Sequence, residues 1–346
     1  MTRATLPRIA RGVLALAGLA LVIHLVRAAG PDRVAHVLWQ AGTLLPAIVA
    51  LELVQPASDL LSLRLLLGER SARLPVATWA RSSSVAYAMM VLLPAGRAAG
   101  EVARAALVAR HVGAPAAATA STELQASYLL SNGLVSAIEG AVAASFLGTR
   151  SPLVLLLGAN TLVMFAVAGA LVAILWNARL GRWLDDALRR LTFGHRERAP
   201  ATRESVRVNA AATQPQTSPR RLPWRAVIVC SVSRMTQVAQ YGVILHAVGG
   251  IATVRSALVA HGIHIVGSTL GDVLPNQIGI VDGAYHTFAG ALGFGGLAAR
   301  ALSIALIART AQLLLAGVCV IVAAITRPAS SPGGADPSSV RADARS

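Results

Sequence analysis

Apolar residues run along this chain in long blocks, and polar residues punctuate them in short clusters. Residues 9–28 form the first block, after Arg3, Arg8 and Arg11 and before further spans, which reads as an uncleaved signal-anchor helix. Residues 34–63 form a second, interrupted by Glu52, Pro56 and Asp59. A short piece, 76–93, ends at Leu93-Pro94, and an amphipathic stretch, 97–111, follows it. Residues 115–148 and 152–176 are two more spans, separated by a tight turn from Gly148 to Pro152. After a polar interval at 177–223, residues 224–248 span again. Residues 254–274 end at Leu274-Pro275, residues 283–296 are rich in Gly and Ala, and 297–325 is the last span. The Pro/Ser/Gly/Ala-rich tail, 327–346, has the composition of a disordered segment. Most of these blocks approach or exceed the roughly 20 residues that cross a bilayer as a helix.

Composition sharpens that reading. The 346 residues are 55% hydrophobic and 13% charged, against about 45–50% and about 25% in ordinary globular domains. A soluble enzyme, a disordered chain and a disulfide scaffold are excluded. Cys230 and Cys319 lie in separate apolar blocks, with no pattern of a disulfide or metal site. The formal charge is +16, and every basic residue is Arg. On a soluble protein this would suggest nucleic acid. Here eleven of the arginines fall between Arg179 and Arg225, which marks a cytoplasmic loop facing anionic lipid. Trp176, Trp183 and Trp224 flank it as interfacial aromatics do.

Arg3, Arg8 and Arg11 place the N-terminus on the same side, and the Glu69–Arg81 region and the C-terminal tail follow. The count closes only if 76–111 and 254–296 each enter and leave from one face. The expectation is an all-α polytopic membrane protein with six full transmembrane helices and two re-entrant helical hairpins. Residues 1–326 form one integral membrane domain, its halves 9–176 and 224–326 joined by the Arg-rich cytoplasmic loop 177–223.

The two hairpins share a pattern. Leu93-Pro94-Ala95-Gly96 leads to Glu101, and Leu274-Pro275-Asn276-Gln277 leads to Asp282, each carboxylate seven residues after its proline. Proline breaks a helix, and broken backbone in a bilayer survives only where protein or a wet cavity satisfies it. Interrupted apolar segments at matching places in two halves point to a transporter-like site near the midplane. With the topology above, the two hairpins enter from opposite faces, an inverted repeat.

At these segments the chain resembles the flippase-like membrane domain of lysylphosphatidylglycerol synthases, including stand-alone proteins associated with hopanoid genes. Leu93-Pro94…Gly100-Glu101…Arg104 is similar to that family's Leu-Pro…Gly-Glu…Arg element. Pro275 to Tyr285 is similar to its Pro-Gly-Gly-x-Gly-x-x-Glu-Gly element. Arg309 falls where the family tends to carry a basic residue. The resemblance extends over roughly residues 9–325. Asn276-Gln277 stand in place of Gly-Gly and Asp282 in place of Glu, a less flexible turn and a shorter acid. No aminoacyl-transfer domain follows residue 326, so the resemblance implies lipid handling and not lysyl transfer.

Ionisable groups at membrane depth cost at least ~2.5–3.5 kcal/mol and are functional candidates by default. Arg97, Glu101 and Arg104 share one helical face; they read as a phosphate grip, or as a self-satisfied ion cluster. Asn276, Gln277, Asp282 and Tyr285, with His286, form a second cluster that completes a headgroup site or caps broken backbone. Arg309 is a partner for Asp282 or another buried acid. Glu52, Asp59, Glu123 and Asp272 are candidates for proton coupling. Glu123, Gln125, Asn132 and Glu139 form a stripe facing a cavity or bonding between helices. His261 and His264 lack the converging ligands of a metal site. No nucleophile elbow, Gly-Lys-Ser loop or dinucleotide fingerprint appears, so neither catalysis nor a cofactor is expected. The expected function is a bacterial inner-membrane flippase for a lipid with an anionic headgroup: a phospholipid, a modified phospholipid or a polyprenyl phosphate. The alternative is a non-transporting module that presents lipid to a separate glycosyltransferase or aminoacyltransferase. The expected partners are membrane lipids and such a cytoplasmic enzyme, with no nucleic acid.

Overall fold

A computed structural model of the chain describes residues 23–24, 26–27, 30–93, 96–177, 222–271 and 277–326. The expectations for most of the first apolar block, for the loop 178–221 and for the tail lie outside those residues. Among the described residues the secondary structure is helical throughout, with no strand.

The helices follow the apolar blocks. Pro31 sits in the first turn of α1 (Pro31–Ala41), where its missing N–H costs nothing. A 3₁₀ turn leads into α2 (Leu45–Glu52) and α3 (Val54–Leu67). The predicted span 34–63 is therefore a segmented rod, broken beside Glu52 rather than continuous. Helix α4 (Val76–Leu92) and α5 (Gly96–Val112) form the first hairpin. Each has 17 residues, about 25 Å at the α-helical rise and shorter than the roughly 30 Å hydrocarbon core. Helix α6 (Ala114–Leu147) and α7 (Pro152–Trp176) are long and joined by the turn at Gly148. The second half contains α8 (Trp224–Ala247), α9 (Val254–Gly271), the short α10 (Ile280–Thr287) and α11 (Ala298–Ile325).

Among the described residues, Pro31–Arg73, Ala114–Leu147, Pro152–Trp176 and Ala298–Ile325 are long and apolar enough to cross a membrane. Helix α8 is long enough at 24 residues, but Arg225, Arg234, Gln237 and Gln240 make it more polar. The outer surface supports a lipid surrounding. Helix α7 buries Leu153, Leu157, Asn160, Met164 and Ala168, a stripe at helical spacing, and exposes Leu155, Leu162, Val163 and Val167. Its outward face is as apolar as its inward face, and the buried asparagine is inside. The polar residues of the other helices follow suit: Ser127, Ser131, Ser136, Glu139, Arg234 and Gln240 are all buried. This is an all-α membrane protein.

Helix α8 is the hub. It packs on α2 and α3 from the first rod, on α6, on its neighbour α9 and on α11. The main core gathers Ile48 of α2, Ala143 of α6, Leu153 and Leu157 of α7, Ile244 and Leu245 of α8, Ile263 of α9, Tyr285 of α10 and Ile304 of α11. Both halves therefore share one interior.

The hairpins close through small residues. A Cβ placed on Gly96 would lie 2.1 Å from the Met89 carbonyl oxygen, and one on Gly100 would lie 2.5 Å from that of Ala86. The α4–α5 crossing is therefore backbone to backbone, as small-xxx-small interfaces allow. In the second hairpin the tight positions are on the entering arm: a Cβ on Gly267 would meet Val281 Cα at 3.0 Å, and one on Gly271 the Gln277 Cβ at 2.9 Å. The return arms differ too, 17 residues in α5 against eight in α10. The repeated Leu-Pro pattern thus leads to two hairpins of unequal build.

Gly100→Val should drive α4 and α5 apart and lower the thermal unfolding midpoint in detergent, with a cost of at least about 1–3 kcal/mol. Gly169→Ala, where nothing lies within 4 Å, should leave the midpoint unchanged or slightly raised. Equal behaviour of the two variants would contradict the close crossing.

Candidate functional site

The first polar cluster forms where the break in the rod meets the first hairpin and α8. Helix α5 begins at Gly96, so Arg97 emerges in its first turn. The Arg97 Nη2 donates to the Tyr128 hydroxyl of α6 at 2.5 Å and lies 3.3 Å from Met90 Sδ. Its guanidinium carbon is 3.6 Å from the Tyr128 ring centroid. Arg234 of α8 approaches the same ring at 4.0 Å. One tyrosine therefore carries two guanidinium contacts, an attraction that strengthens as water is withdrawn.

From Arg234 the hydrogen bonds continue around a ring of side chains. Arg234 Nη1 donates to Gln237 Oε1, Gln237 Nε2 donates to Gln55 Oε1 at 2.7 Å, and Gln55 Nε2 donates to Met90 Sδ at 3.6 Å. Beside this ring, Glu52 accepts from the Tyr87 hydroxyl at 2.8 Å and from Gln240 Nε2 at 2.9 Å. The same Gln240 nitrogen reaches the Ile48 carbonyl at 3.0 Å. That carbonyl lies one turn before the end of α2, so α8 ties itself to the first rod beside Glu52.

On the other side, Arg104 of α5 lies 3.4 Å from Asp59 Oδ2 and 3.3 Å from Glu101 Oε1. Arg104 is 2% exposed and Arg234 5%. Neither is fully satisfied: Arg104 Nε and Nη1 and Arg234 Nη2 are buried with no hydrogen-bond partner, as is Glu101 Oε2. Buried guanidinium donors without acceptors are costly. They are also what a phosphate oxygen would satisfy.

The second cluster is held by a two-bond ion pair, although Arg309 Nε is buried without a hydrogen-bond partner. Arg309 of α11 grips Asp282 of α10 with two bonds, Nη1 to Oδ1 at 3.1 Å and Nη2 to Oδ2 at 2.6 Å. The Gly279 N–H also donates to Asp282 Oδ2 at 2.9 Å, so the same carboxylate caps α10. Tyr285, one turn on and wholly buried, donates its hydroxyl to the Ala260 carbonyl at 2.8 Å. Gln277 has φ 54°, the left-handed region that favours glycine. The glycine that the related motif carries at this place suits that backbone.

The structure thus brings Arg97, Glu101, Arg104, Glu52 and Asp59 to one region, and Asp282, Tyr285 and Arg309 to another. Glu123 lies half-buried on α6, where its backbone carbonyl accepts from Ser127. Asn276 and Asp272 lie outside the described residues. The sequence reading did not assign Arg234, Gln237, Gln240, Tyr87 or Tyr128 to the site. The signal was present on α8: residues 234, 237 and 241 recur at helical spacing in an otherwise apolar span.

Several groups suit an anion, and among the described residues no three His, Cys, Asp or Glu side chains assemble as a metal site. The arrangement can hold a negatively charged group between buried guanidinium donors at the mouth of a broken hairpin. Fold and interior together define a polytopic all-helical membrane domain with a polar core. The chain matches the lysylphosphatidylglycerol synthase TM region over residues 9–319 and belongs to that family. No curated protein and no solved structure matches it.

Removing one partner of the Arg309–Asp282 pair strands a buried charge, which typically costs about 3–5 kcal/mol. Arg309→Gln should therefore destabilise the protein strongly in thermal unfolding, and the Asp282→Asn/Arg309→Gln double variant should cost less than the sum of the singles. Additive losses would show that the pair does not hold α10 to α11. Gln277→Gly should be tolerated or raise the unfolding midpoint, since glycine accepts the left-handed backbone; a clear drop would contradict that conformation.

Proposed function

We propose that this protein moves an anionic-headgroup lipid across the membrane, with the Arg97–Arg104–Arg234 region holding the phosphate. The observation that carries the reading is the pair of buried guanidinium nitrogens, Arg104 Nε and Arg234 Nη2, that lack an acceptor. In a bilayer such donors need an anion, and a phosphate ester offers several acceptor oxygens while its acyl chains remain in lipid. Glu101 and Asp59 hold Arg104 in place when the site is empty. Gln277, Asp282, Tyr285 and Arg309 form the second wall, with Asp282 and Arg309 holding its shape.

The 17-residue arms of the first hairpin support a re-entrant element. The full arrangement is six spans and two re-entrant hairpins of opposite orientation, in a bacterial inner membrane, with both termini and the Arg-rich loop on the cytoplasmic side. The protein acts as a transporter and not an enzyme. A second reading has support in the family itself, which is described as the membrane region of a synthase. The chain would then present lipid to a separate modifying enzyme docked on the loop.

Native mass spectrometry of the gently purified protein tests the site. Wild type should retain a defined anionic lipid, and Arg97→Ala/Arg104→Ala should weaken its retention by about a hundredfold, the loss of two charge-assisted contacts. The same loose lipid spectrum in both would make these arginines structural and favour the enzyme-presenting reading, which a co-purifying enzyme lost with the loop would establish.

A further inference from the structure

A third group of buried polar side chains lies away from the arginine cluster. Glu139 of α6 and His261 of α9 are both fully buried, and Glu139 Oε1 lies 2.5 Å from His261 Nδ1. A bond this short requires a proton between the two atoms. The remaining Glu139 Oε2 and His261 Nε2 are buried without a partner, as is His264 Nδ1 one turn along. Tyr241 of α8 stacks beside all of this, with its ring 5.6 Å from His261, 5.2 Å from His264 and 6.3 Å from Tyr285. Gly262 makes room: a Cβ there would meet Glu139 Cβ at 3.4 Å and Leu157 at 3.3 Å.

We infer that the Glu139–His261 pair, with His264 beside it, is a proton-binding site that couples lipid movement to a proton gradient. This rests on the transport reading above. With one shared proton the pair carries a net charge of −1. A second proton, taken from water onto the imidazole–carboxylate pair, makes it neutral, and its release restores the −1 state. The two states differ in the charge enclosed by α6, α8 and α9, where low dielectric magnifies the difference. The charged and titratable groups that face the pair are Tyr241 and Arg234 from α8, His264 from α9 and Tyr285 from α10, and Arg309 of α11 faces His264. Helix α7 contributes only apolar Leu157 at the contact.

The link to the lipid site is physical. Helix α8 carries Arg234, Gln237 and Gln240 into the arginine cluster and Tyr241, from the next turn, into the imidazole cluster. His261 lies on the entering arm of the second hairpin, whose return arm is latched to α11 through Asp282 and Arg309. A change of charge at the pair therefore acts on the hairpin and on the helix that lines the headgroup site. Glu/His chains of this kind are recurrent proton relays within membranes.

The full-length protein in liposomes with fluorescent phosphatidylglycerol tests this. In wild type, a one-unit pH gradient should bias the lipid between leaflets by up to about tenfold for one proton per lipid. Glu139→Gln and His261→Gln should still move lipid and show no bias; the second variant serves if the first fails to fold. Retained bias in these variants, or lipid movement in wild type that ignores the gradient, would overturn the coupling and leave the transport reading standing. If wild type moves no lipid, transport itself fails, and infrared titration judges the proton site alone. A pH-dependent carboxylic-acid band that disappears in Glu139→Gln supports it, and its absence in wild type overturns it.

Discussion

Arg234 sits midway along a helix and is almost wholly withdrawn from solvent, and the first polar cluster is arranged around it. A guanidinium at membrane depth must be met by rings, amides or anions, because nothing else there can meet it. Tyr128 supplies a ring face, Gln237 an amide oxygen, and Gln55 passes the hydrogen bonds to the first rod. The neighbouring Gln240 reaches Glu52 and the Ile48 carbonyl at the break in that rod. One polar face of α8 therefore satisfies a buried carboxylate and ties α8 to the first rod. The exterior is free to be apolar because the interior has taken the polar groups, an inside-out distribution relative to a soluble bundle.

The same constraint separates the two hairpins. Each contains a carboxylate seven residues after a proline, and the two carboxylates have different surroundings. Both Asp282 oxygens are met by Arg309 and the Gly279 N–H, which fixes α10 against α11 and leaves only Arg309 Nε without a partner. Glu101 meets Arg104 only through an ion pair between Oε1 and Nη1 at 3.3 Å, and Glu101 Oε2 and Arg104 Nε have no partner. The second hairpin supplies a stable wall, and the first retains capacity for an anion. This asymmetry is the basis for placing the headgroup beside α5 in the proposed function.

Much of the architecture was legible in the chain because bilayer physics writes long, coarse signals. The paired helices α6 and α7, the turn at Gly148 and the breaks after Leu93 and before Gln277 follow from apolar length, glycine and proline. The pairing of Arg309 with Asp282 was among the alternatives drawn from their depth and opposite charge. Partners far apart in sequence were not legible. Glu139 and His261 are 122 residues apart, and periodicity on either helix gives no register between them. Helix α8 read as a plain span because its polar groups are diluted among apolar ones. The break beside Glu52 was anticipated as an interruption, but the pairing of Glu52 with Gln240 depends on a helix from the other half.

The account stands on a phosphate being held between the unsatisfied arginines of the first cluster. Its most direct measurement is an electron cryomicroscopy structure of the protein in nanodiscs of phosphatidylglycerol. The account predicts headgroup density within hydrogen-bonding reach of Arg104 and Arg234, with the acyl chains running out to the bilayer. Lipid density confined to the outer surface, with both arginines satisfied by protein groups alone, would contradict it.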